Sequence, residues 1–210
     1  MSPKKSDTTT EEKILSAAVY EFAEHGYHGS RIDNIAKRGK INKAMIYYHY
    51  KGKEALYEHV LASTVSGIYD TVAGLLPETP PEQNDLEELI RGYSNHLATI
   101  EGERIRIMIR EIASGGKYFR KITVPKLIAP VLASVVKMFD EGKKSGIFRD
   151  IDSLYSIIPV IGSIVFFNIL RVAMKDTPLS DVLFKENASV DYTENLIKIL
   201  RSGLFAEVGK

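Results

Sequence analysis

The chain has 210 residues, 44% of them apolar and 26% charged, enough to bury the core of one large or two small domains and too apolar for a disordered segment. Cysteine is absent, which excludes disulfides and thiolate metal sites and is compatible with a reducing, cytoplasmic setting. The 28 basic and 27 acidic residues nearly cancel over the whole chain but not locally.

Residues 1–7 (Met-Ser-Pro-Lys-Lys-Ser-Asp) carry no apolar core for a signal peptide and read as a short basic arm. Thr9-Thr-Glu-Glu12 fits a capping box, with Thr9 as N-cap and Glu12 three residues on. The first helix comes next, on the stripe Ile14, Leu15, Ala18, Val19, Phe22, and ends near Gly26. Ser30 with Asp33 repeats the start signal for a second helix, buried through Ile32, Ile35 and Ala36 and broken at Gly39-Lys40. Asn42 can cap a third by accepting from a free backbone N–H; its Ile46 and Tyr50 turn inward, leaving Lys43, Ala44, Met45, Tyr47 and Tyr48 outside. Two short helices across a tight turn are the helix-turn-helix arrangement.

This stretch is also the electrostatic centre of the chain. Residues 30–53 hold seven bases (Arg31, Lys37, Arg38, Lys40, Lys43, Lys51, Lys53) against one acid, Asp33, whereas residues 55–210 hold 18 bases and 20 acids. A concentrated positive segment on a neutral protein is the footprint of a polyanion partner.

A fourth helix is expected from Gly52-Lys53 to about Leu76, long enough to link the small basic domain to the remainder of the chain. Residues 77–85 form a Pro-rich loop. Beyond it the reading is helical throughout: Asp85 to about Glu101; Gly102 to Ser114, stopped by Gly115-Gly116; a short turn of helix or a loop over Lys117–Ile122; Val124 to about Ser145 with Pro125 in the first turn; Asp152 to about Met174; and Val190 to Phe205. No stretch alternates with period two, so an all-α fold of about nine helices is expected. The division reads as 1–54 for the arm and helix-turn-helix domain (motif about 31–50), 55–76 for the linking helix, 77–85 for the loop and 86–210 for the C-terminal domain.

The apolar run Ile157–Leu170 is 14 residues long, contains Pro159, Gly162, Ser163 and Asn168, and falls short of the ~20 residues of a membrane span. A helix apolar on nearly every face needs a second surface as well as its own core. The same helix of another copy supplies it most simply, giving a homodimer through a four-helix bundle built on Ile157, Ile161, Ile164, Tyr192, Leu196, Ile199 and Leu200.

From Phe22 to Leu56 the sequence resembles the tetracycline-repressor (TetR) family of bacterial regulators. Phe22, Gly26 and Tyr27, then Ser30, Ile35-Ala36, Ile41, Asn42, Ala44, Ile46-Tyr47, His49-Tyr50, Lys53 and Leu56 match the family pattern in order and spacing. The stretches Arg110–Gly116 and Gly142–Arg149 look like recurring features of the family's divergent C-terminal region. The resemblance implies three DNA-binding helices, a linking helix and a ligand-binding, dimerising domain. It implies repression at an operator, relieved by a small molecule, with no cofactor.

On these positions Lys43, Ala44 and Met45 stand at the end of the recognition helix that meets base edges. Lys43 can donate to guanine O6 and N7, while Ala44 and Met45 suit thymine methyls. Asn42 and Ser30 sit at helix N-termini, where free N–H groups suit phosphate. Tyr47, Tyr48, His49 and Lys53 match the family's phosphate-contacting positions, and Arg31 can add a contact. Tyr50 occupies a buried family position. Two departures stand out: Gly39-Lys40 reverses the usual Ala-Gly order, so that either Lys40 takes the left-handed conformation or the turn shifts by one residue, and Met45 replaces a common hydroxyl.

Glu21, Glu24, His25 and His28 share helical spacing, but the family match puts them at the exposed end of the first helix, and no metal site is expected. No phosphate loop, nucleophile elbow or HExxH occurs, so no enzyme is expected. In the C-terminal domain Arg106 and Arg110, four apart on one helical face, with Tyr118, Phe139, Phe166, Phe167 and Asn168, are the candidates to line a ligand pocket. The arginines would favour an anionic or acyl ligand, although salt bridges with Glu103 and Glu111 explain the same pattern. The partners expected are double-stranded, palindromic operator DNA, a second copy and an unidentified inducer, with no membrane. The alternative is a DNA-bound protein-interaction factor without a ligand.

Overall fold

The structure is a computed structural model that describes residues 9–77, 80–82 and 84–205; the basic arm and part of the Pro-rich loop lie outside the described residues. The described residues form ten α-helices: α1 (Thr10–Gly29), α2 (Ile32–Gly39), α3 (Lys43–Tyr50), α4 (Lys53–Ala73), α5 (Asp85–Thr99), α6 (Gly102–Ala113), α7 (Ala129–Lys144), α8 (Ser153–Ala173), α9 (Pro178–Leu183) and α10 (Ala188–Leu204). Among the described residues the only β contact is an isolated antiparallel bridge between Phe148 and Phe205. The all-α expectation holds, with the short α9 unanticipated.

The chain forms two compact units, one of residues 1–64 and 102–123, the other of 65–101 and 124–210. This cuts the chain differently from the boundaries read at 54, 76 and 85. α6 and the segment after it join the first unit because α6 packs on α1, a non-local pairing that no local pattern announces.

In the first unit α1 starts as expected: Thr9 Oγ1 accepts from Glu12 N at 3.2 Å, and Glu12 Oε2 accepts from Thr9 N at 2.7 Å. It breaks at Gly26, whose φ of 64° lets the chain turn toward α2. Ile14, Phe22, Ile35, Ile46, Leu56 and Ile107 are buried to 1% exposure or less in one core, each contributing about 1.5–3 kcal/mol relative to an exposed side chain. Glu111, at the end of α6, lies in this core at 3% exposure. Its carboxylate accepts from Tyr57 Oη at 3.0 Å, Tyr118 N at 2.7 Å and Phe119 N at 3.3 Å. Burial, then the Glu111 charge, pushes the Tyr57 phenol well above its ordinary range.

The turn between α2 and α3 keeps its register and accepts the strain. Lys40 stands at φ 52°, ψ 45°, in the left-handed region. Glycine occupies position 39 instead, where a Cβ would sit 3.2 Å from Lys13 O and 3.4 Å from Ala17 Cβ. Since an L side chain in this conformation costs roughly 1–2 kcal/mol, Lys40→Gly is expected to raise stability by about 1 kcal/mol in urea denaturation. An unchanged midpoint would refute the strain.

The segment Phe119–Ile128 is a π-helix with Pro125 in its interior, running into α7: of the two readings of Lys117–Ile122, a turn of helix or a loop, the helical one holds, but proline lies inside the π-helix and not in the first turn of an α-helix. Proline lacks an N–H and its ring clashes with the carbonyl four residues back; a wider turn accommodates both.

In the second unit α5, α7, α8 and α10 share a core including Ile90, Leu97, Met138, Phe139, Phe148, Ile164 and Ile197. Gly142 on α7 lies directly under the Phe148 ring, where a Cβ would collide with it. The turn after α7 closes with Ile147 N on Gly142 O at 2.8 Å and Gly146 at φ 77°, which accounts for the Gly142–Arg149 motif. α5 and α10 are clasped through Glu87, 3% exposed, which accepts from Arg201 Nε at 2.6 Å and Arg91 Nη2 at 3.3 Å. The bond from Arg201, together with the charges of Arg201 and Arg91, outweighs desolvation and holds the Glu87 carboxyl below its ordinary range.

The 21-residue α8 and the 26-residue stretch Phe119–Lys144 each contain an 18-residue window of high mean hydropathy, 1.9 and 1.6, so both are long and apolar enough to cross a membrane by length and composition. The 14-residue apolar run Ile157–Leu170 lies inside α8, whose bounds agree with the helix expected from Asp152 to about Met174. Ile157, Val160, Ile164 and Asn168 of α8 are nevertheless buried in the protein's own core.

Candidate DNA-binding surface

The surface is built on α2 and α3. Asn42 caps α3 by accepting from Ala44 N at 2.9 Å, which fixes the helix start and leaves Lys43 and Ala44 exposed. Ile46 is fully buried and Tyr50 is 7% exposed, so the opposite face anchors the helix. Tyr50 Oη donates to Glu11 Oε1 at 3.1 Å; burial, with that bond second, pushes its phenol up to about 12. Tyr47 and Tyr48 are 48% and 78% exposed, and His49 is also exposed. Met45 is half-buried against the core, which weakens its case as a base reader.

The N-terminus of α2 departs from the sequence reading. Its N-cap is Arg31, with no side-chain cap of its own. Ser30 is buried at 2% exposure and donates its hydroxyl back to Tyr27 O at 2.9 Å, so it is not free to meet phosphate. The cap comes from α1: Glu21 Oε1 accepts from Arg31 N at 3.2 Å and from Asn34 Nδ2 at 2.9 Å. Glu21 is therefore buried, at 4% exposure, rather than on an exposed helix end, and a carboxylate at this helix terminus also suits the macrodipole. Arg31 itself is exposed.

Lys53 Nζ donates to Ser30 O at 3.0 Å and lies 4.7 Å from the centroid of the Tyr27 ring. Tyr27 packs against Tyr57 and Tyr118 with ring centroids 5.1 and 5.0 Å apart, so this lysine is seated on the aromatic part of the core. Lys43 Nζ pairs with Asp33 Oδ1 of α2 at 2.7 Å, and that bond raises the Lys43 amine above its ordinary range. The result is a rigid, capped helix whose exposed start presents a cation, a small side chain and a flank of phenols.

A family profile described as "Bacterial regulatory proteins, tetR family" matches residues 14–60, the span from α1 into α4. The HTH-type transcriptional repressor NicS of Pseudomonas putida is 27% identical over 159 residues, 75% of this chain and 74% of the relative. IcaR of Staphylococcus aureus, a negative transcriptional regulator of the biofilm operon icaADBC, is 28% identical over 63% of this chain and 70% of its own length. The crystal structure of PfmR from Thermus thermophilus, a TetR family transcriptional regulator, has the same fold, with a TM-score of 0.69 and 20% identity over 96% of this chain and 100% of that one. Residues 14–60 are a TetR-family DNA-binding domain. The chain is a DNA-binding transcriptional regulator, and TetR-family regulators dimerise on operator DNA.

The expected ligand residues divide between the two units. Arg106, Arg110 and Tyr118 belong to the first unit and Phe139, Phe166 and Asn168 to the second. Arg106 pairs with Glu24 at 2.9 Å and Glu103 at 3.0 Å, Arg110 is exposed, and Tyr118, 2% exposed, donates to Glu54 Oε1 at 3.0 Å. Phe139 stacks on Phe148 in the core, with centroids 4.8 Å apart, and Phe167 stacks on Tyr192 at 4.3 Å. Asn168 is buried, donating to Ile164 O at 3.0 Å and accepting from Arg171 Nε at 3.3 Å.

The expected dimer residues divide as well. Ile157, Ile164 and Leu196 are 3%, 0% and 9% exposed and fill the protein's own core. Ile161, Tyr192 and Leu200 are half-buried, and Ile199 is 61% exposed. The apolar side chains that α8 leaves uncovered are Leu154, Tyr155, Ile158 and Phe166. Periodicity could not separate the two faces, because α8 is apolar on both.

Proposed function

We propose that the protein is a cytoplasmic homodimeric repressor that sets α3 of each copy in the major groove of a palindromic operator and leaves it when a small molecule occupies the second unit. The observation that carries this is the start of α3, where the Asn42 cap leaves Lys43 and Ala44 exposed at the end that meets base edges. Lys43 and Ala44 read bases. Arg31, Asn42, Tyr47, Tyr48, His49 and Lys53 grip phosphate, with Met45 at the margin.

The exposed apolar side of α8, Tyr155, Ile158 and Phe166, continued by Ile199 on α10, is the dimer face in this reading. An anionic inducer would meet Arg171 rather than Arg106 or Arg110. Arg171 is half-buried, burial lowers its guanidinium pKa, and its hydrogen bonds go to the uncharged Asn168 Oδ1.

Selection of bound DNA from a random pool tests the reading. A palindrome is expected, with half-sites one helical turn apart, about 34–36 Å between recognition helices. On that operator Lys43→Ala is expected to cost about 1–3 kcal/mol and to relax the sequence preference at one position. Lys53→Ala is expected to weaken all DNA alike and to lower the salt slope by about one. Equal effects from the two variants would refute the division of roles.

A further inference from the structure

We propose that Asp33 sets the specificity of DNA binding by restraining Lys43, an inference that rests on Lys43 being a base reader. Asp33 is the one acid among seven bases in residues 30–53. Its side chain is 70% exposed and that of Lys43 46%, so the 2.7 Å pair lies on the surface that carries the basic charge. An exposed ion pair contributes only about 0–1 kcal/mol to folding, and an acid on a polyanion-facing surface lowers affinity for every DNA sequence. The gain that offsets this loss lies in Lys43.

Lys43 is the first residue of α3, where the positive end of the helix disfavours a cation, and the first turn of α3 contains no acid. Asp33 supplies the missing negative charge from α2 and holds the amine at the helix start. An ammonium group has three donors. With one spent on Asp33, two remain for guanine O6 and N7. On DNA without that guanine a free amine would swing to the nearest phosphate and add a contact blind to sequence. Tied to Asp33, it does not. Asp33 therefore lowers non-specific affinity more than operator affinity.

The test compares full-length wild type, Asp33→Asn, Lys43→Ala and the double variant. Each is titrated by anisotropy at several salt concentrations with the selected operator and a scrambled duplex. Asp33→Asn is expected to bind the scrambled duplex about fivefold more tightly, the effect of one unit charge at about 4 Å in water. Its log–log salt slope on that duplex should steepen by about 0.9, one more phosphate neutralised, and its operator preference should fall. In the Lys43→Ala background the same substitution should leave the slope unchanged, because the amine it frees is gone. A purely structural role for Asp33 would move the melting temperature and not the slope.

An Asp33→Asn protein with the wild-type slope and operator preference overturns the proposal, as does a change of slope that persists without Lys43. Wild type that fails to distinguish operator from scrambled duplex overturns the base-reading role itself, a separate and visible failure.

Discussion

The double variant Ile158→Asp, Phe166→Asp is expected to be a folded monomer that scarcely binds its operator. Both side chains are 59% exposed on α8, so charge there costs the chain's own core little, and the helical circular dichroism should not change. In a two-fold interface each charge appears twice, facing an apolar surface that cannot solvate it. Losing the second half-site converts a bivalent contact into a monovalent one and is expected to cost about 10²–10⁴ in operator affinity. Light scattering gives the mass and anisotropy the affinity. A variant that stays dimeric would show that this face of α8 is not the interface. Leu196 is a poorer probe, since it is 9% exposed in the core and a charge there would confuse dissociation with unfolding.

Glu111→Ala is expected to give the largest loss of stability. It removes the acceptor of Tyr57 Oη and of the backbone N–H groups of Tyr118 and Phe119, in the core of the first unit. A buried donor left without a partner costs about 1–3 kcal/mol, so a total of roughly 3 kcal/mol or more is expected, a fall in melting temperature of about 6–12 °C. Glu111→Gln keeps one oxygen acceptor and should lose less. If alanine and glutamine melt together near wild type, the carboxylate does not organise this core.

The parts legible in the sequence were those fixed by neighbours in the chain. The Thr9–Glu12 box, the Asn42 cap and the inward Ile46 and Tyr50 are all set within one or two turns, and each is found where it was expected. Ser30 was misread because its hydroxyl had two local uses, and the cap of α2 arrived from Glu21, ten residues before Arg31. Arg106 and Arg110 read as pocket residues because α6 lies beyond the Pro-rich loop. Packing on α1 instead places Arg106 beside Glu24. On α8 the pattern gave the helix and not its faces, since Ile157 and Ile158 are equally apolar and only packing decides that one is buried and the other exposed. Asp33 was visible as the one acid in a basic stretch, but its pairing with Lys43 crosses from one helix to the next.

The left-handed lysine at the turn has a counterpart. Lys51, the C-cap of α3, stands at φ 59°, so α2 and α3 both end on a left-handed lysine where glycine would be at ease. A cation at a helix C-terminus recovers about 0.3–1 kcal/mol of that strain through the macrodipole, and each lysine adds a charge that glycine could not. Changing both to glycine would leave residues 30–53 with five bases instead of seven. The two helix ends thus hold a local exchange of folding stability for attraction to DNA, and a stabilised variant made by relaxing them would be a weaker competitor for its own operator.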